Sequence, residues 1–228
     1  MRAFLNWYAS ECEPQGWANP IAKVHPPKLP QELLEPLDLE NLRAMLGTCR
    51  PRTFYGDRDR AILTALLDTG CRASEFLALS IADVNMLTGA VLIQHGKGNK
   101  ARVTFLGAKS RRALIAYLRH RGGGQPPKGA IGGEALWVTS QGSRLTYTAL
   151  RDVPRRRARE AGVPEPTLHS FRRGFAINAL RAGVDLVSLQ RLLGHSSLAV
   201  VSRYLRQVEG DLQAAHQKAG IVDRLLGG

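Results

Sequence analysis

The stretch LHSFRRGFAINALRAGVDLVSLQRLLGHSSLAVVSRYLR, residues 168–206, decides the class of fold. Three helical patterns follow one another in it: one after His169, one through VDLVSLQRLLG, and one carrying Val200 to Arg206. Apolar residues recurring every three or four positions put one buried face on each helix. His169 and Arg172 are three residues apart and therefore share a face of one helical turn. His195 stands at the turn after the apolar helix, and Tyr204 follows nine residues later.

Upstream, Thr148 to Ala161 reads as a further helix that carries RDVPRRRARE, with Arg151, Arg155, Arg156, Arg157 and Arg159. Between Ala90 and Leu106 the pattern changes to VLIQH, GKGNKA and RVTFL, two β-prone runs around a turn rich in glycine and lysine, which predicts a hairpin. The run ALWVT, 135–139, is placed as an edge strand, and GGGQPPKGAIGG, 122–133, as a mobile loop. Closer to the start, Asp38 and Asn41 suit the beginning of a helix, Asp57 starts another through AILTALLDT, and Gly70 ends it in the left-handed manner. MRAFLNWYASEC predicts a terminal helix, and Pro20 to Pro30, with four prolines, an extended linker. Beyond Tyr204, DLQAAHQKAGIVDRLL has helical spacing and suits packing in cis or on a neighbouring protomer. The expected class is mainly α with a small antiparallel β-sheet, divided as 1–19 terminal helix, 20–32 linker and 33–228 main domain.

The 228 residues, 44% apolar, suffice for a core. Lys and Arg number 32 against 19 Asp and Glu, a formal charge of +13 that points to a polyanionic partner, nucleic acid first. Cys12, Cys49 and Cys71 form no metal-like pair, and their odd number fits a reducing cytoplasm better than a disulfide framework. No apolar run approaches the ~20 residues of a membrane span. A metal-dependent nuclease would need convergent carboxylates. Asp83, Asp185 and Asp211 read instead as turn or cap residues, and neither a phosphate-cradling loop nor a CxxC pair is present, so no cofactor and no metal is expected.

Taken one at a time, the polar clusters have ordinary readings: a surface arginine, a solvated turn, a capping histidine, a packed aromatic. Together, Arg72 and Glu75 in G-x-R-x-S-E, Lys97 in GKGNK, His169 and Arg172 in HSFRR, His195 in LLGHS and Tyr204 resemble the tyrosine recombinase or phage-integrase family from about Leu33 to Tyr204. The resemblance implies that Arg72, Lys97, His169, Arg172 and His195 are activating residues, Tyr204 the nucleophile and Glu75 a support that orients Arg72 or caps the short helix. It also implies that the terminal helix is the last of a core-binding domain, and that four protomers assemble on double-stranded DNA from free monomers. Two guanidinium forks suit the charge that builds on a phosphodiester under attack, and imidazoles can donate to it or take a phenol proton near neutral pH. A lysine on a hairpin tip can protonate the leaving 5′ oxygen, and the first lysine of the turn, Lys97 rather than Lys100, matches the family pattern. Arginines crowded on one helix repel one another unless an anion is near, so Arg151, Arg155, Arg156 and Arg157, with Lys100, Arg102 and Arg173, are assigned to DNA contact. A type IB topoisomerase and a catalytically idle DNA-binding module are the alternatives.

Overall fold

The computed structural model describes residues 2–12, 15–21, 23–24, 36–94, 101–121, 134–194, 201–202 and 204. The chain divides into two compact units, Met1–Leu33 and Leu34–Gly228. In the first, α1 spans Arg2–Glu11. Asn19 donates to Leu5 O and to Asn6 Oδ1, and the Tyr8 and Trp17 rings meet edge to face at 5.3 Å, so the turn after α1 folds back on it.

The second unit begins with α2, Leu39–Gly47, whose first turn is capped by the Asp38 carboxylate accepting from Glu40 N. α3, Phe54–Thr69, starts three residues before the expected Asp57, because Thr53 Oγ1 accepts from Gly56 N and supplies the cap. It ends at Gly70, φ 56°, where a Cβ would meet the Phe175 ring at 2.5 Å. After α4, Ala73–Ala78, and a short 3-10 turn, Ile81–Asp83, strands β1, Ala90–Ile93, and β2, Arg102–Phe105, pair antiparallel with Val91 opposite Thr104. α5, Ala108–His120, follows directly; the sequence reading gave no helix there. α6, Tyr147–Ala161, α7, Leu168–Arg181, and α8, Leu186–Leu193, complete the described elements. Val201, Ser202 and Tyr204 are helical, and residues 122–133 and 205–228 lie outside the described residues.

The expected edge strand at 135–139 does not form. Ala135 and Val138 make isolated bridges to Ser80 and Arg144, and Leu136, Trp137 and Val138 are all buried rather than alternating. Trp137 stacks on Phe76 at 4.6 Å and on Tyr117 at 5.8 Å, so this segment is a core plug between helices. α3 packs against α5 and α7, and α2 against α6, around Ile62, Leu63, Leu66, Leu114, Leu150 and Phe171. A second, smaller cluster of Ala176, Leu189, Leu193 and Val201 joins α7, α8 and the helical residues that lead to Tyr204. Hence the ends of α3 and α8 and the start of α7 come to one place.

Candidate active site

At that place Arg172 is 2% exposed. Its Nη1 donates to Gly70 O at 2.6 Å and its Nη2 to Leu193 O at 2.7 Å, one carbonyl from the end of α3 and one from the end of α8. The last carbonyls of a helix carry its negative dipole end, so two helix termini aim a single guanidinium without neutralising it. Burial, reinforced by the Arg72 guanidinium, pushes Arg172 down to about 10, while Glu75 and Tyr204 act the other way; it stays charged at neutral pH.

Arg72 precedes α4 and keeps 31% of its side-chain surface exposed. Its Nη1 donates to Glu75 Oε1 and its main-chain N to Glu75 Oε2, both at 2.8 Å. Glu75 thus holds the arginine side chain and the first turn of α4 together. Burial alone would raise the Glu75 carboxyl, but hydrogen bonds from Arg102 and Arg72 outweigh it and hold it at about 2.

His169 is exposed in the first turn of α7. Desolvation, then the guanidiniums of Arg173, Arg172 and Arg72, lower its ring from the ordinary imidazole value, which favours the neutral form that can donate from one nitrogen and accept at the other. Tyr204 is half-buried against the small cluster of α7 and α8, and its phenol lies within electrostatic reach of Arg172. Four of the expected site residues, Arg72, His169, Arg172 and Tyr204, with the supporting Glu75, therefore meet in one region. Lys97, Lys100 and His195 lie outside the described residues.

The residues assigned to DNA contact divide. Arg102 and Arg157 both turn into the protein. Arg102, with its side chain 8% exposed, forks onto Glu75 at 2.9 and 2.7 Å and donates to Leu192 O. Arg157, also buried, forks onto Asp59 and reaches Thr48 O and Glu160. Arg156 reaches the same Asp59 at 2.6 Å but is 44% exposed. Arg151 and Arg155 pair with Asp152 and Glu165 at 3.4 and 3.3 Å with both partners partly exposed, contacts weak enough to exchange for another anion. Arg173 is half-buried beside His169. Among the described residues no group of His, Cys, Asp and Glu side chains is arranged to hold a metal, and no helix is long and apolar enough to cross a membrane.

A mainly helical unit with one small hairpin is the fold of tyrosine recombinase catalytic domains. The crystal structure of XerA recombinase matches it with a TM-score of 0.69 at 23% identity, over 96% of this chain and 73% of that one. The profile of the phage integrase family matches residues 35–211, and the chain belongs to that family. It is similar to the tyrosine recombinase XerC of Pelobacter propionicus, 35% identical over 202 residues, which are 88% of this chain. The match takes in 65% of that relative's length, so the chain spans somewhat less than two thirds of it. It is also similar to XerH site-specific recombinase, whose structure is a post-cleavage complex with palindromic difH substrate: TM-score 0.63, 26% identity, 83% of this chain and 53% of that one.

Proposed function

We propose that this chain is the catalytic part of a site-specific recombinase that cuts and rejoins double-stranded DNA through a 3′-phosphotyrosyl link on Tyr204. The observation that carries the reading is the seat of Arg172: a buried guanidinium aimed by two helix ends, with Arg72 and the Tyr204 phenol beside it. Cationic donors fixed before the reaction and shielded from water stabilise developing phosphate charge far more than solvated ones.

In the first step the Tyr204 oxygen bonds to phosphorus, the bond from phosphorus to the 5′ oxygen breaks, and that oxygen leaves as a hydroxyl. His169, whose surroundings favour the neutral ring, is suited to accept the phenol proton or to donate to a non-bridging oxygen. Lys97 and His195 enter through the family pattern, Lys97 as donor of the leaving-group proton. In the second step a 5′ hydroxyl of another strand attacks the phosphotyrosine and the phenol is released, so no water is consumed and no step is assigned to a metal or cofactor. Four such chains on two duplexes, assembled from monomers in the cytoplasm, belong to the same reading, as does a division into 1–19 as the last helix of a core-binding domain, 20–32 as linker and 33–228 as catalytic domain.

The test is a nicked duplex that traps the covalent species. The unsubstituted chain is expected to become attached to DNA, and Tyr204→Phe to yield no adduct while binding the same DNA within a few fold. Adduct formation by Tyr204→Phe would remove the phenol from the nucleophile's role.

A further inference from the structure

Arg102 opens β2, where it looks like one more cation for the DNA backbone, yet it makes contact with three parts of the site at once. Its two terminal nitrogens fork onto Glu75, Nη1 to Oε1 at 2.9 Å and Nη2 to Oε2 at 2.7 Å. Each of those oxygens also accepts from Arg72, one from the guanidinium and one from the main chain, so the carboxylate is a bridge between two arginines. Fork-to-carboxylate geometry fixes the plane of the carboxylate as well as its position. The third contact is Arg102 Nε to Leu192 O at 2.9 Å, in the last turn of α8, beside the carbonyl of Leu193 that seats Arg172. The side chain then lies against Gly194, where an added Cβ would stand 2.9 Å from both Arg102 Cδ and Nη1. Gly194 has φ 65° and immediately precedes His195 in the chain.

We infer that Arg102 is a positioning residue for strand cleavage: through Glu75 it sets the Arg72 fork, and through Leu192 and Gly194 it ties the hairpin strand to the end of α8. With 8% of its side chain exposed it is not placed to meet DNA itself. Its effect is therefore on the rate of the chemical step rather than on affinity. Displacements of about 1 Å in a group that must meet a transition state cost on the order of 100-fold in rate.

The inference rests on the strand-transfer reading, and one experiment separates the two. Adduct formation on the nicked duplex is measured in single turnover at saturating DNA for the unsubstituted chain, Arg102→Lys, Arg72→Lys and the double variant, together with the Kd for uncleaved DNA and urea unfolding. Lysine keeps the charge beside Glu75 and loses the fork, which limits the risk of a chain that does not fold. Arg102→Lys is expected to slow cleavage roughly 10- to 100-fold with Kd within about threefold, and to slow it less than about threefold further once Arg72 is already lysine. Losses that multiply, cleavage unchanged in Arg102→Lys, or a change confined to Kd would each overturn the positioning role. Absence of an adduct from the unsubstituted chain would overturn the strand-transfer reading and this inference with it.

Discussion

Two buried carboxylates, Asp59 and Glu75, each gather arginines, and they do opposite things. Asp59, with no exposed surface, accepts from Arg58, Arg156 and Arg157, while Arg157 also meets Glu160 and Thr48 O, and Arg58 lies over the Phe54 and Tyr55 rings. That knot ties α3 to α6 and to the end of α2. Around Glu75, the cations are Arg72 and Arg102, with Arg172 held next to them by main-chain carbonyls. Among the described ion pairs a second carboxylate, Glu160, joins the first group and none joins the second. The first cluster ties helices together, and the second is the one that the proposed reading sets against a DNA phosphate.

That contrast breaks most sharply at Arg172. Arg172→Lys, which cannot span Gly70 O and Leu193 O, is expected to lower adduct formation about 10³-fold with DNA affinity within a few fold; cleavage within tenfold of normal would mean the carbonyl seat is not what sets the second cluster apart. Asp59→Asn should show the reverse. Removing the acceptor of three guanidiniums is expected to destabilise the chain by about 4 kcal/mol in urea unfolding, while the folded fraction cleaves at close to the normal rate.

Acid sharpens the comparison further. The folded Glu75 carboxyl is held at about 2 against an ordinary 4.5, so its contribution is fully present above about pH 4.5 and is lost as pH falls toward 2. Stability is expected to drop by roughly 3 kcal/mol across that window beyond the loss seen in Glu75→Gln. An identical acid profile in the two chains would show that Glu75 is not held by its arginines.

Much of this arrangement was legible in residue order. The caps Asp38 and Gly70 and the helices at 147–161, 168–181 and 186–193 follow from short-range spacing. So does the hairpin. α5 was not read, because its buried stripe is only Ser110, Ala113, Leu114 and Tyr117 and lies among Lys109, Arg111, Arg112 and Arg119. The segment 135–139 failed as a strand because three consecutive large residues are buried in a plug between helices, a demand set by Phe76 and Tyr117 far away in the chain. The inward turn of Arg157 and Arg102 was not legible for a related reason. Composition gives the sign of a side chain but not its direction, and the carboxylates that turn these two inward lie 98 and 27 residues away. The motifs locate Arg72, His169, Arg172 and Tyr204, but the carbonyl seat of Arg172 exists only once α3 and α8 have been brought to the same corner.

The packing of Gly194 on Arg102 carries an evolutionary consequence. A left-handed backbone and a would-be Cβ at 2.9 Å from the Arg102 side chain mean that a side chain at position 194 would be strained and would push the arginine aside. Relatives that gain a residue there are expected to have exchanged the arginine as well, so the two positions, 92 apart in the chain, should drift as a linked pair.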